Sequence, residues 1–198
     1  MSNSPSPRAT VARNPRRGVY DRETILGILA EAWLAHVGVI DGDAPVVIPM
    51  ASWVYDGRLW VHGSPRSRLI QLLAGGAPAC VSVTLLDGLV LARSAYHHSM
   101  NYRSVVLHGV AQQITDPALR DASLASFVNK VEPGRADRVR TASAAELKAT
   151  TVLAFDVDDA SAKIRTGGPI DAPGDLDRPV WAGVIPLSLR RGEPIADG

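Results

Sequence analysis

The run Val46-Val-Ile-Pro-Met50 is apolar at five consecutive positions, so an extended chain here presents apolar side chains on both of its faces. A sheet with one solvated face alternates instead. A strand of this kind belongs where both sides are covered, as in a sheet curled toward a barrel with helices packed outside. Its flanks keep it a strand. Ala44 to Tyr55 is rich in Val, Ile and aromatics, Asp56-Gly57 suits the positive φ values of a tight hairpin turn, and Arg58 to His62 returns. The expected class is α+β, with helices around a β-barrel.

The remaining punctuation agrees with that class. Asp21 caps a helix expected to run to about His36, with Ile25, Leu29 and Trp33 on one face. Ser64-Pro65 offers an N-cap and first-turn residue for a second helix, which Gly75-Gly76 stops. Ala79 to Leu85 and Leu89 to Ser94 form an apolar pair around Asp87-Gly88, and Val105 to Ile114 makes a long strand after an irregular polar stretch. Asp116-Pro117 opens a helix carrying Phe127 and Val131, and Ser143-Ala-Ala-Glu146 is a capping box. Thr151 to Val157 and Ala162 to Thr166 read as returning strands. Residues 1–19 read as a disordered basic tail, 20–187 as one domain and 188–198 as a flexible C-terminal tail.

Composition narrows the function. With 198 residues and 46% hydrophobic content, the chain is long enough for a sizeable core and short enough for one domain. The net charge is +1, yet Arg8, Arg13, Arg16 and Arg17 all precede the first acidic residue, Asp21. The body is therefore slightly acidic, and no nucleic-acid partner is expected. Arg16-Arg17 is followed by Gly-Val-Tyr-Asp rather than an apolar segment, and Ile25 to Ile40 is too short and too interrupted to cross a bilayer, so neither export nor a membrane partner is expected. Cys80, the single cysteine, reads as a small buried hydrophobe of a reducing, cytoplasmic protein.

Chemistry concentrates in two places. His62-Gly-Ser-Pro-Arg-Ser-Arg68 sets Arg66, Ser67 and Arg68 in the first turn of the second helix, where cations are unfavourable unless an anion such as phosphate binds there. Two solvated surface arginines give the same pattern. Ser99-Met-Asn-Tyr-Arg-Ser-Val-Val-Leu-His-Gly109 switches abruptly from polar to apolar. Lys163 and Arg165 share a strand face, suited to neutralising a phosphate or to solvent. His97-His98 point apart and have no third ligand at suitable spacing, so no metal site is expected. His36 and His108 read as structural residues on a helix face and a strand.

The stretch Asp87-Gly-Leu-Val-Leu-Ala-Arg-Ser94, with His97-His-Ser-Met-Asn-Tyr-Arg-Ser104, resembles the flavin-nucleotide-binding branch of the pyridoxamine 5′-phosphate oxidase-like superfamily, a branch that includes proteins resembling nitroimidazole reductases. Glu146-Leu-Lys-Ala-Thr150, Ser161-Ala-Lys-Ile-Arg-Thr-Gly167 and Pro179-Val-Trp-Ala-Gly-Val-Ile-Pro186 follow in the expected order, so the resemblance covers roughly residues 20 to 187. It implies an FMN-binding split β-barrel with peripheral helices, assembled as a homodimer with FMN in clefts at the subunit interface.

By that resemblance Met50, Ala51 and Ser52 flank the isoalloxazine, and Val61 and His62 border the flavin. Gly63, Ser64, Arg66, Ser67 and Arg68 surround its phosphate. Asn101, Tyr102 and Ser104 form a cofactor wall, and Trp181 either covers the cofactor from the partner subunit or packs in the interface. Ser67 stands where an Arg is usual, and Ser104 where a Gln is usual. The strand Val46 to Ser52 lacks the basic substrate-phosphate ligands of the oxidase itself, which disfavours that activity. His62 is the candidate catalytic residue, because an imidazole beside a flavin can exchange a proton near neutral pH. The implied activity is an FMN-dependent oxidoreductase that reduces small-molecule acceptors with reduced nicotinamide. The alternatives are a non-catalytic flavin- or haem-binding module and a deazaflavin-dependent reductase.

Overall fold

The computed structural model describes residues 6–197. The chain divides into two compact bodies: one holds residues up to Thr84 together with Ser104–Lys163, and the other holds Leu85–Arg103 and the residues from Ile164 onward.

In the first body β1 (Gly18–Val19) precedes α1 (Arg22–Glu31), whose first turn is capped by the Asp21 carboxylate accepting from the Thr24 N–H at 2.9 Å. α1 buries Ile25, Ile28 and Leu29 and stops at Ala32, where the backbone turns extended. The helix expected to reach His36 therefore ends early, and β2 (Leu34–Asp41) takes its place. Trp33 continues the helical spacing, but from Leu34 on the period is two: Ala35, Val37 and Val39 are buried while Leu34, His36 and Ile40 are exposed. Pairing along β3 from Leu34↔Ala51 to Asp41↔Ala44 outweighs the local helical pattern, so His36 is a strand residue and not a helix-face one.

β3 (Ala44–Tyr55) and β4 (Arg58–Gly63) form the expected hairpin, with Asp56 and Gly57 at φ 48° and 65°. α2 (Arg68–Ala74) begins three residues later than expected, because Ser64-Pro65 closes a turn, with the Ser67 N–H on the Ser64 carbonyl at 2.9 Å, and Ser67 becomes the N-cap. Arg66 and Ser67 thus precede the helix instead of lying in its first turn. α3 (Pro117–Val131) is capped by Asp116 and α4 (Ala144–Lys148) by the Ser143–Glu146 capping box, as expected. β2 is flanked by β3 and β5 (Pro78–Leu91), β3 by β4, and β4 by β8 (Thr151–Phe155), which also pairs with the short β7 (Gln112–Gln113). This path ends on two different strands, so the sheet is open. All of these pairs are antiparallel.

The core of this body lies on both faces of β4 and β8. Trp53, Trp60, Val152 and Ala154 pack with Ile114 under Leu119, Leu124 and Phe127 of α3, and Leu59, Val61, Leu153 and Phe155 are fully buried on the opposite face. The segment expected to be a tail carries contacts from Ser6 onward. Its backbone N–H and the Arg8 side chain bond to Asp159, Ala9 is buried, and β1 pairs with β9 (Ala160–Arg165). Residues 1–5 and 198 lie outside the described residues.

β5 (Pro78–Leu91) and β6 (Ser99–Val110) run through the division between the bodies. β5 is one continuous strand, so Asp87-Gly88 is not a turn. Gly88 lies opposite Pro186 of β10 (Gly183–Pro186), and a Cβ there would stand 3.0 Å from the Val184 side chain and 3.1 Å from the Ile185 carbonyl. The glycine admits a close strand rather than a bend. β6 begins at Ser99, so the stretch expected to be irregular before Val105 is already strand, and Ile114 lies beyond it. Cys80 is exposed: Ala79, Val81 and Val83 occupy the buried parity of β5, which leaves Cys80 and Ser82 on the other face.

Candidate flavin site

In the first body the expected site residues gather around β3, β4 and the turn into α2. Register sets Ser52 opposite Val61, and both are fully buried, while Met50, Ala51, His62 and Gly63 are half-buried and Ser64, Arg66 and Arg68 are exposed. Gly63 is required by packing, since a Cβ would come within 2.9 Å of Ile70 on α2. Arg68 Nε pairs with Asp41 at 2.7 Å across an exposed surface. Ser67 caps α2 without using its hydroxyl, and the Ser64 hydroxyl accepts the Arg66 N–H at 3.2 Å. The Arg66 guanidinium and the Ser67 hydroxyl therefore stand available to an anion.

His62 is held by aromatic rings rather than by polar partners. Its ring lies 5.6 Å from Trp53 and 5.1 Å from Phe127, and its Nδ1 is buried without a hydrogen bond. Burial lowers its pKa below the ordinary value, so His62 is a neutral imidazole at pH 7. The hydroxyl of Ser52 and the indole N–H of Trp53 are likewise buried without partners. Trp53 and His62 share one face of the hairpin and Ser52 lies on the other, so unpartnered polar atoms stand on both faces. Ser104 and Lys163 also belong to this body, where the Ser104 hydroxyl donates to the Lys163 carbonyl at 3.3 Å.

The other expected residues belong to the second body. Arg165, 6% exposed, donates to Asn101 Oδ1 and to the carbonyls of Gly167 at 3.2 Å and Gly168 at 3.1 Å, while Asn101 Nδ2 also donates to the Gly167 carbonyl. This arrangement pins the bend at Gly167, where φ is +96°. Arg103 forks onto Asp87 at 2.8 and 3.0 Å, and Arg93 holds Asp171 through both its backbone N–H and its guanidinium. Those hydrogen bonds, led by the backbone one, depress the Asp171 pKa. Tyr102 is half-buried. Trp181 is 61% exposed, with its ring lying so close along the chain that a Cβ on Gly183 would meet it at 2.8 Å. Tyr96, Met100, Ile170 and Val180 are also exposed in this body.

One residue the sequence did not single out is Lys130 on α3, whose ammonium donates to the Ser52 carbonyl at 2.8 Å. A lysine in the last turn of a helix ordinarily signals only a favourable cation at the negative helix end, so nothing in the sequence marked it. Another unanticipated feature is an apolar cavity of about 170 Å³ between α3 and the segment leading into α4, lined by Leu124, Val128, Val139 and Leu147. It touches none of the expected site residues. Among the described residues no three His, Cys, Asp or Glu side chains gather as a metal-ligand set, and no helix is long and apolar enough to cross a membrane.

Comparison with known proteins gives this arrangement its family. The family model described as pyridoxamine 5′-phosphate oxidase matches residues 21–164. The flavocytochrome Anf3 from Azotobacter vinelandii is 41% identical with a TM-score of 0.91, over 98% of this chain and 90% of that one. A FAD- and haem-binding protein from Mycobacterium smegmatis is 37% identical with a TM-score of 0.87, over 91% and 89%. A candidate 5-nitroimidazole antibiotic resistance protein from Bacteroides thetaiotaomicron, 22% identical with a TM-score of 0.62 over 74% and 86%, shares the fold. No curated protein matches the chain. The fold is the split β-barrel with peripheral helices, and the chain belongs to the pyridoxamine 5′-phosphate oxidase-like, flavin-binding superfamily.

Proposed function

We propose that the chain is a flavin-dependent oxidoreductase, working as a cytoplasmic homodimer, that carries a haem as a second redox group. The observation that carries this reading is the likeness, along nearly the whole chain, to one flavocytochrome and one FAD- and haem-binding protein. FAD is favoured over the FMN expected from sequence because the Mycobacterium smegmatis protein is described as binding FAD.

The residues present fit a flavin nucleotide. Arg66 offers its guanidinium and Ser67 an uncommitted hydroxyl to the nucleotide phosphate, and Arg68, whose Nε is held by Asp41, offers its remaining N–H groups. Met50 and Ala51 give a half-buried apolar wall, and His62 offers a neutral imidazole able to donate or accept one hydrogen bond beside the ring. Arg165 and Asn101 act by shaping the Gly167 bend instead of touching phosphate. Trp181, from a second copy, would shield the ring from water. The bound flavin supplies the electron transfer, and the protein supplies binding, orientation and local charge. Reduced nicotinamide is the proposed donor and a small molecule the proposed acceptor.

The test is the absorption spectrum of the purified protein and chromatography of the pigment released by acid. FAD with a Soret band is the expected result; FMN alone returns the simpler flavin reading, and a deazaflavin selects that reductase class. A colourless protein that binds neither added flavin nor haem would overturn the reading. Arg66→Ala and Arg68→Ala should each weaken flavin binding about tenfold, roughly 1.4 kcal/mol, while Arg120→Ala leaves it unchanged.

A further inference from the structure

Lys130 closes the last turn of α3 with its ammonium drawn in beneath the sheet. Nζ donates to the carbonyls of Ser52 on β3 and of Ala32 at the end of α1, and stands 5.4 Å from the centre of the Trp33 ring. Two carbonyl dipoles and one π face are its partners, and no carboxylate among the described residues joins them. Glu31 beside Ala32 and Glu132 beyond the helix are exposed, and the His62 ring packs 5.1 Å from Phe127. Burial alone accounts for the lowering of the Lys130 pKa to about 8, so it remains mainly protonated at pH 7.

A half-buried cation with no counter-ion among the described residues is costly, and a methionine would fill the same space without that cost. The charge is nevertheless fixed against the backbone of Ser52, on the strand assigned above to the flavin ring. Such a charge is of use where negative charge appears only part of the time. A flavin taking up an electron pair and one proton from a two-electron reductant gains one net negative charge, and a fixed cation in a low-dielectric setting favours that state over the oxidised one.

We propose that Lys130 sets the flavin potential of this protein, favouring the reduced over the oxidised cofactor through the positive charge it holds behind Ser52. The proposal rests on the flavin reading above and assigns a role within it to a residue outside the expected contact set. Lys130 is a positioning and electrostatic residue, acting without touching the flavin.

The experiment is a dye-equilibrated spectroelectrochemical titration of the flavin-loaded protein, with dithionite as reductant, for wild type, Lys130→Gln and Lys130→Arg. Gln keeps N–H donors for the carbonyls but loses the charge, whereas Arg keeps the charge. Lys130→Gln should lower the preference for reduced over oxidised flavin about tenfold, a midpoint roughly 30 mV more negative for a two-electron couple. Lys130→Arg should stay near wild type. Flavin content and melting temperature, taken on the same samples, separate this from a structural role, which would move the melting temperature and leave the potential in place. A wild-type potential in Lys130→Gln overturns the proposal while the flavin reading stands; a wild-type protein that takes up no flavin overturns both.

Discussion

The two halves of β3 obey opposite rules although both are apolar. From Ser52 to Tyr55 the strand is paired on β4, and Trp53 is sealed between the sheet and α3. From Val46 to Met50 it has β2 on one edge and no β4 partner on the other, since the β4 register starts at Ser52. Val47 and Ile48, which point to opposite faces, are 60% and 42% exposed. Pro49 lies in this half and Pro45 directly before it, as befits a strand near a sheet edge. The apolar run from Val46 to Met50, expected to be covered on both faces, is therefore left partly exposed within the chain. It is a surface that something else would cover, and the proposed second copy is the cover its composition suits.

The sharpest way to break this contrast is to truncate the sealed half. Trp53→Ala removes a fully buried indole stacked 6.2 Å from Trp60. It should cost about 3–5 kcal/mol in chemical denaturation, the range for deleting a buried aromatic. A loss below about 1 kcal/mol would show that this cluster is not the core that the burial implies.

The next effect belongs to the uncovered half. Val47→Asp or Ile48→Asp should leave the isolated chain folded and weaken self-association by at least about tenfold, because a carboxylate would enter an apolar interface unpaired. Sedimentation velocity over a dilution series reads this directly. A dimer unaffected by either change would mean that another surface mediates it.

How much of this contrast could be read from sequence depends on the range of the interaction. Asp21, Asp56-Gly57, Asp116 and Ser143–Glu146 are each satisfied within a few residues, so local chemistry was enough to place their caps and turn. β2 was hidden because Trp33 continues the spacing of α1, and only pairing with β3 reveals the change of period. Asp87-Gly88 looks like a hairpin, but its glycine answers to Val184 and Ile185, almost a hundred residues away. The site divides in the same way. His62 and Arg66 to Arg68 stand out in the sequence because they lie close together along the chain, but Lys130, seventy-eight residues from Ser52, has no local signature.

Lys130 also ties down the border between the two halves, and this appears in the pH dependence of stability. The folded chain releases the Lys130 proton near pH 8, whereas an unfolded lysine holds its own to about 10.5. Between these values the unfolded state binds more protons, so the contribution of Lys130 to stability rises with pH across that window and is flat below it. Urea midpoints measured through pH 8 to 10.5 should rise more in wild type than in Lys130→Gln. Parallel curves would show that the ammonium is solvated.

The smallest perturbation uses Cys80 as a reporter, with no cost in stability expected. Gly38 pairs with Val47 on one side and with Cys80 on the other, so Cys80 lies on the same sheet face as Val47, one strand beyond β2. The thiol is exposed, and partial desolvation raises its pKa, so a disulfide reagent should label it slowly at neutral pH and faster as pH approaches 9. If this face is where two copies meet, labelling at fixed pH should slow as protein concentration rises, and Val47→Asp should abolish that dependence. If labelling is equally fast at every concentration, the face is open in the assembled protein, and the exposure of Val47 is then not an interface waiting for its partner but an ordinary property of this strand.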